Sequence, residues 1–276
     1  MIIYNTALNK ARSAAFLALV DVINVGKKKA DFSELDFRDL WLKKIQEHDG
    51  VLSSGWYTPP PYGMAVLTGM PIYPARISFD SLRNKTNWPG NTHINWDENL
   101  LYCYCSPVNF EYGEPGDLAI TLYFGQNEQI RNHFIKTYKA TQEVINILPL
   151  VKDSNELFIA SQKIFNSYRV RNCVVSKTDT LPLDLGHTYP KVLRELFETP
   201  LTEENCLAIS KARQFINPTS AWNFEENLQF TIEPQLVSLD DPTLPQISYH
   251  YLISKKQDDF FICNDVDTLL AEYRLI

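Results

Sequence analysis

Asp117, His187, Glu233 and His250 are the side chains in this sequence that could move a proton or hold a cation in a shared site. Asp117 follows Gly116 and opens the apolar run Leu118-Ala119-Ile120-Thr121-Leu122-Tyr123-Phe124. His187 follows Gly186 in a loop-rich stretch, and Glu233 ends the run Leu228-Gln229-Phe230-Thr231-Ile232 just before Pro234. A carboxylate on so apolar a strand is costly unless it meets a partner, which makes Glu233 the strongest site candidate. Beside an imidazole it would form an acid–base pair tunable toward neutral pH. Each residue also has an ordinary reading. Asp117 could cap the Gly116 bend, His187 could be a hydrogen-bonded loop histidine, and His250 could join Tyr249 and Tyr251 in an aromatic cluster. The stretch Gly55-Trp56-Tyr57-Thr58-Pro59-Pro60-Pro61-Tyr62-Gly63 reads as an aromatic pocket wall, a surface polyproline loop or a dimer contact.

Several other chemistries lack their signatures. There is no P-loop, no GxGxxG after a strand, no GxSxG elbow and no HExxH. With 26 Lys+Arg against 33 Asp+Glu the net charge is −7. Such a surface repels phosphate backbones, and Lys27-Lys28-Lys29 reads as a solvated loop, so no nucleic-acid partner is expected. The apolar run 14–20 stops at Asp21, well short of the roughly 18 residues of a membrane span, so no membrane partner is expected. The first residues lack the basic region and cleavage site of a signal peptide. The five cysteines are odd in number and show no CxxC. They read as buried free thiols rather than metal ligands, with Cys103 and Cys105 on one strand face, and point to the cytoplasm.

The elements that must carry these residues follow from periodicity. Of the 276 residues 45% are hydrophobic and 21% charged, enough for a substantial core. Apolar spacing predicts helices over 6–24, 33–47, 128–148 and 154–168, with His133 on a helix surface and capping-box spacing at Asp153 and Glu156. Shorter helices are predicted near 190–198 and 203–214. Strands are predicted at 64–67, 76–79, 100–105, 118–124, 228–237, 247–254 and 260–263. No linker or repeat divides the chain, so 1–276 reads as a single α+β domain with helices covering one face of an antiparallel sheet.

Taken in order, Gly116-Asp117-Leu118 through Gly125 before an amphipathic helix, Leu185-Gly186-His187 in a later loop, and Asn227 through Thr231-Ile232-Glu233-Pro234 resemble the motifs of a known superfamily. It is the pita-bread metallopeptidase superfamily of methionine aminopeptidase, prolidase and creatinase. The resemblance covers essentially the whole chain, and Thr268-Leu269-Leu270 looks like that family's closing strand. It implies a pita-bread fold, in which helices cover a curved antiparallel sheet. It also implies chemistry on two metal ions held by two Asp, one His and two Glu. Two divalent ions roughly 3.5–4 Å apart need such bridging anions.

Matched residue by residue, the ligand set is incomplete. Asp117, His187 and Glu233 occupy metal-ligand positions. Ser106 stands where the first aspartate belongs, and Ser248 (or, in another alignment, Gln257) stands where the last glutamate belongs. The family's helper histidines are replaced as well, one near Trp88-Pro89 with His93 a few places late, the other at Arg194 or Phe197. Two carboxylates balance one divalent ion and not two, and Ser and Gln are poor bridging ligands. The expected cofactor is therefore none, or at most one divalent metal ion. The resemblance implies a divergent member acting on a small amide, peptide or amino-acid-like substrate, not an ordinary dimetal aminopeptidase. Glu233, with His187 or His250, would do acid–base work, and Ser106 and Ser248 would contact substrate. The alternative is a catalytically inactive pseudo-peptidase that binds a ligand or a protein. Relatives of the prolidase and creatinase type imply a homodimer.

Overall fold

The chain is seen in a computed structural model that describes residues 1–5, 9–53, 55–57, 60–70, 82–109, 111, 113–173, 183–189 and 212–276. The predicted strand at 76–79, the helix at 190–198, most of that at 203–214, and Cys206, Arg194 and Phe197 lie outside the described residues.

A short strand, β1 (Ile2–Asn5), precedes two capped helices. Asn9 accepts the N–H groups of Ala11 and Arg12 and so starts α1 (Lys10–Gly26), while a Ser33–Asp36 capping box starts α2 (Glu34–Gln46). The helices lock together where the Trp41 indole donates to the Ala15 carbonyl at 3.0 Å. The buried Glu34 carboxylate accepts backbone N–H groups from Thr68 at 2.6 Å and Gly90 at 2.8 Å, which pins α2 to the sheet.

The next strands are β2 (Val51–Leu52), β3 (Met64–Gly69), β4 (Leu100–Cys105), β5 (Val108–Asn109), β6 (Glu114–Pro115) and β7 (Leu118–Tyr123). β3, β4 and β7 form an antiparallel sheet in that order. Every residue of β4 and β7 is buried, which is why both read as unbroken apolar runs instead of alternating ones. Cys103 and Cys105 are buried in β4, as expected. Two long helices follow, α3 (Glu128–Asn146) and α4 (Ser154–Ser167). Only half of the expected capping box forms on α4: Asp153 accepts the Glu156 N–H, but Glu156 accepts from Lys152.

The last third holds β8 (Val170–Asn172), β9 (Gln229–Ile232), β10 (Gln235–Ser238), β11 (Ile247–Ser248), β12 (Tyr251–Lys256) and β13 (Asp259–Cys263). Both long strands expected there are split. Pro234 has no N–H to extend a ladder, so β9 ends before Glu233 and pairs with β12, while β10 pairs with β11 and β8. A bridge between Ile120 and Tyr249, and the Ser248 N–H donated to the Thr121 hydroxyl at 3.0 Å, join this region to β7. One pair departs from the antiparallel expectation: β1 runs parallel to β13. The expected closing strand at 268–270 is instead part of a helix, α5 (Asp265–Glu272). Val266, Leu269 and Leu270 are its buried residues, a helical spacing that three apolar letters alone did not reveal. No helix among the described residues is long and apolar enough to cross a membrane.

His133 corrects a second expectation. It is buried on α3, with Nε2 3.0 Å from the Pro245 carbonyl. It shares a face with Ile130, Phe134 and Thr137, the i, i+3, i+4 and i+7 positions. Burial pushes its pKa down to about 4. The unfolded imidazole protonates near 6.5, so its contribution to stability is complete above that pH and is lost as pH falls toward 4. Urea midpoints should therefore fall over this window. His133→Gln should remove about one proton from the uptake on unfolding at pH 5, measured by calorimetry in buffers of different ionisation enthalpy.

Candidate functional site

Residues 185–189, read from sequence as loop, lie in extended contact with β9. The N–H groups of Thr231, Glu233 and Tyr189 donate to the carbonyls of His187, Leu185 and Gln229 at 2.8, 2.9 and 2.9 Å. On the other side the Leu185 and Thr188 N–H groups donate to the carbonyls of Ile216 and Gln214, and the Ile216 N–H donates to the Gly186 carbonyl. Gly186 permits this approach, because a Cβ there would overlap the Thr231 carbonyl. The result brings His187 and Glu233 together across 46 positions of sequence.

Glu233 sits between two imidazoles. One carboxylate oxygen is 3.5 Å from His187 Nε2 and the other is 3.6 Å from His250 Nδ1. Both separations lie just beyond hydrogen-bond length. His187 Nδ1 is 3.0 Å from the Thr188 carbonyl, which can only accept. That nitrogen therefore carries the proton of the neutral ring, and the Nε2 lone pair faces Glu233. Neither ring nitrogen of His250, nor the Tyr189 hydroxyl, has a hydrogen-bond partner among the described residues, and all are buried.

Burial sets the protonation of this group. It raises Glu233 well above the usual carboxylate range, and the charges of Asp184 and Asp117 add to the effect while Arg213 opposes it. Glu233 keeps 21% of its side chain exposed, which tempers the shift without reversing it. Burial likewise holds His187 and His250 neutral, helped by the charge of Arg213 at His187 and of Arg12 at His250.

Asp117 is close enough for its charge to act on Glu233. Its carboxylate accepts the indole N–H of the fully buried Trp56, whose ring lies 6.1 Å from that of His187. Of the readings open for the Gly55–Gly63 stretch, a surface loop does not describe the fully buried Trp56, while Thr58 and Pro59 lie outside the described residues. Burial pushes Asp117 up to about 7, against the indole bond and the charges of Arg213 and Arg12.

Arg12 is the residue that sequence reasoning missed. It donates to both oxygens of Asp265, at 2.5 and 2.9 Å, to the His250 carbonyl at 2.6 Å, and to the Asp117 carbonyl. Its signal was a charge on the stripe Arg12, Ala15, Leu19, Val22, all of them buried. Arg213, with its guanidinium carbon 5.1 Å from the Trp56 ring, was also missed, as was the buried Asp184.

The remaining predicted positions separate. Ser106 is buried beneath the wall, where its hydroxyl accepts from Tyr57 N–H at 3.3 Å and donates to the Gly63 carbonyl at 3.4 Å. Ser248 is buried on β11 opposite Gln235, two residues past Glu233. Gln257 is in the exposed turn between β12 and β13, which removes it as a stand-in for a metal ligand. His93 is largely exposed and pairs with Asp31 at 2.7 Å. His250 faces Glu233, so the aromatic-cluster reading is incomplete.

A dimetal centre does not fit these residues. Among the described residues no group of three or more His, Cys, Asp and Glu is placed to hold a metal ion. Trp56 claims an oxygen of Asp117, and the charge of Arg213 acts on Asp117 and Glu233 together.

Arg12→Met should cost about 3–5 kcal/mol in urea unfolding, because it strands a buried carboxylate. The double variant Arg12→Met/Asp265→Leu should recover part of that loss. Asp117 behaves in the opposite sense to His133. Its folded pKa lies above the unfolded value, so its contribution is present below about 4 and is lost as pH rises through about 7. Asp117→Asn, which keeps an acceptor for Trp56, should gain in urea midpoint relative to wild type between pH 5 and 8.

No known family and no curated protein matches this sequence. Solved structures do match. A methionine aminopeptidase from Rickettsia prowazekii aligns with a TM-score of 0.60 at 14% identity, covering 92% of this chain and 95% of that one. An X-Pro aminopeptidase from Thermotoga maritima gives 0.59 at 12% identity, covering 92% of this chain and 59% of its own. A dipeptidase from Mycobacterium ulcerans gives 0.61 at 12%, covering 93% and 56%. The chain thus spans less than two thirds of the last two and nearly all of the first. Likeness at this identity fixes the architecture and leaves the activity open. The chain has the pita-bread fold shared by these aminopeptidases and dipeptidases.

Proposed function

We propose that this chain is a divergent relative of the aminopeptidases and prolidases that performs metal-free acid–base chemistry on a small amide, peptide or amino-acid-like substrate in the cytoplasm. The observation that carries the reading is the Glu233 carboxyl held between the neutral rings of His187 and His250. Kept in its acid form, Glu233 is placed to protonate a departing nitrogen. His250 offers an unpartnered ring nitrogen to take a proton from attacking water. His187, fixed in one tautomer by Thr188, orients the Glu233 proton. Ser248 is the proposed substrate contact, and Ser106 acts through the wall it holds. The free state of the described cysteines supports a reducing compartment. A ligand-binding pseudo-peptidase is the second reading, favoured by the closure of the site: His250 is 1% exposed.

Protein purified without chelator should turn over some member of a panel of Xaa-Pro dipeptides, methionyl peptides and N-acyl amino acids. EDTA should leave the rate unchanged. Glu233→Gln should lower kcat/KM by about 10²–10⁴-fold without lowering Tm. Turnover abolished by EDTA, or untouched by Glu233→Gln, overturns the proposal. A panel with no turnover but with ligand-induced Tm shifts replaces it with the binding reading.

A further inference from the structure

Tyr189 is 6% exposed, and its hydroxyl has no hydrogen-bond partner among the described residues. The side chain belongs to an apolar cluster with Trp56, Val108, Leu252 and Cys263. An O–H withdrawn from water without an acceptor is costly, so it gains more than a solvated one from a polar group that a ligand brings to it. Tyrosine is the donor that fits such a place, since its ring fills the apolar space and its tip can reach a polar partner.

Backbone pairing turns Tyr189 toward the site residues. The bridge between Thr188 and Phe230, flanked by the bonds from Tyr189 to Gln229 and from Thr231 to His187, sets Tyr189 opposite Gln229 and His187 opposite Thr231. The bond from Glu233 to Leu185 continues that register. Opposed residues share a face and faces alternate along the chain, so Tyr189, His187 and Glu233 project to one side. The Tyr189 ring stands edge-on to His187 at 5.9 Å, and His187 Nε2 is 3.5 Å from Glu233. Burial raises the Tyr189 hydroxyl well above its usual range, with the charges of Asp117, Glu233 and Asp265 adding to the effect and Arg12 opposing it. The phenol therefore keeps its proton and acts as a donor.

We propose that Tyr189 is a further catalytic residue of this site, whose hydroxyl donates to the carbonyl oxygen of the bound amide. The inference deepens the acid–base reading above and rests on it. Water attacks the carbonyl carbon as His250 takes its proton, and the C=O electron pair moves onto the oxygen that Tyr189 holds. That pair returns to carbon as the C–N bond breaks, and Glu233 gives its proton to the departing nitrogen. A proton passed from His250 to Glu233, 3.6 Å apart, then restores the base and the acid. Tyr189 keeps its own proton throughout. A donor fixed in advance where negative charge develops, in a place poor in water, favours the transition state over the bound substrate.

The test compares wild type, Tyr189→Phe and Glu233→Gln of the full chain on Xaa-Pro dipeptides, methionyl peptides and N-acyl amino acids. Tyr189→Phe removes one oxygen and keeps the ring. It should lower kcat by about 10²-fold with KM nearly unchanged. Its Tm should match or exceed that of wild type, because the hydroxyl it removes has no partner within the fold. A Tm that falls along with the rate makes the hydroxyl structural and overturns the inference. Full kcat in Tyr189→Phe, with Glu233→Gln inactive, overturns it too and leaves the acid–base reading intact. A rate lowered by Tyr189→Phe but untouched by Glu233→Gln keeps the hydroxyl contact and overturns that reading. If the compounds raise Tm without turnover, a rise lost in Tyr189→Phe supports the contact and an equal rise overturns it. Neither turnover nor a Tm shift with any compound overturns both.

Discussion

A guanidinium shut off from water needs an acceptor for the hydrogens it presents, and the way Arg12 meets that need organises the site half of this molecule. From the first turn of α1 it reaches Asp265 in the first turn of α5, the carbonyl of Asp117 just before β7, and the carbonyl of His250 just before β12. Two candidate site residues therefore hang from backbone carbonyls clamped by one cation. The Arg12–Asp265 pair need not stabilise the fold on balance, since withdrawing both charges from water offsets much of their attraction. It supplies a fixed geometry. Helices at opposite ends of the chain, and two strands from different sheets, are held to a single arrangement.

Within that frame, charge is removed from the carboxyls by different means. Asp117 receives an indole N–H, Glu233 tends toward its protonated form, and Arg213 offsets both from its aromatic seat. The histidines stay neutral because they are buried and each feels an arginine. The site is therefore a set of largely neutral donors and acceptors beside the guanidinium groups of Arg12 and Arg213. Low local polarity makes each of these hydrogen bonds stronger and each unpaired atom more expensive. His250 and the Tyr189 hydroxyl, both unpartnered among the described residues, are the atoms at which a polar ligand would gain most.

Sequence reasoning reached the parts of this structure that leave a periodic or compositional trace. The runs at 100–105 and 118–123 are apolar on both faces and could only be buried strands. The helix that opens at Ser154 announces itself through Asp153, whereas the caps at Asn9 and Ser33 emerged only in the structure. Asp117, His187 and Glu233 were legible because ordered motifs placed them, and the structure sets His187 beside Glu233. What stayed hidden depends on contacts made at long range. Arg12 and His133 are polar letters on buried helix faces, and no local rule says which polar residue finds a buried partner. The helix at 265–272 was mistaken for a strand because a three-residue apolar run fits either period. Arg213 has no sequence signal at all: its meaning lies in three rings drawn from two distant stretches of chain.

Ser106 shows how one small side chain sets the packing around Asp117. Its hydroxyl is wedged between Gly55 and Gly63, and both glycines have left-handed backbone, with φ of 71° and 63°. The space between them is so narrow that a Cβ on either glycine would collide with the Ser106 oxygen. A carboxylate at position 106 would need still more room. The same serine carbonyl accepts the Trp56 N–H at 3.1 Å, and that contact sets the indole where it can reach Asp117. The small side chain at 106 and the placement of Trp56 against Asp117 are thus parts of one packing arrangement. With the wall in place, Trp56 and Tyr57 form two of the three faces that hold Arg213. The seat of Arg213 against these rings thus follows from the same packing that brings Trp56 to Asp117, while burial and the charges of Asp184 and Asp117 keep Glu233 toward its acid form.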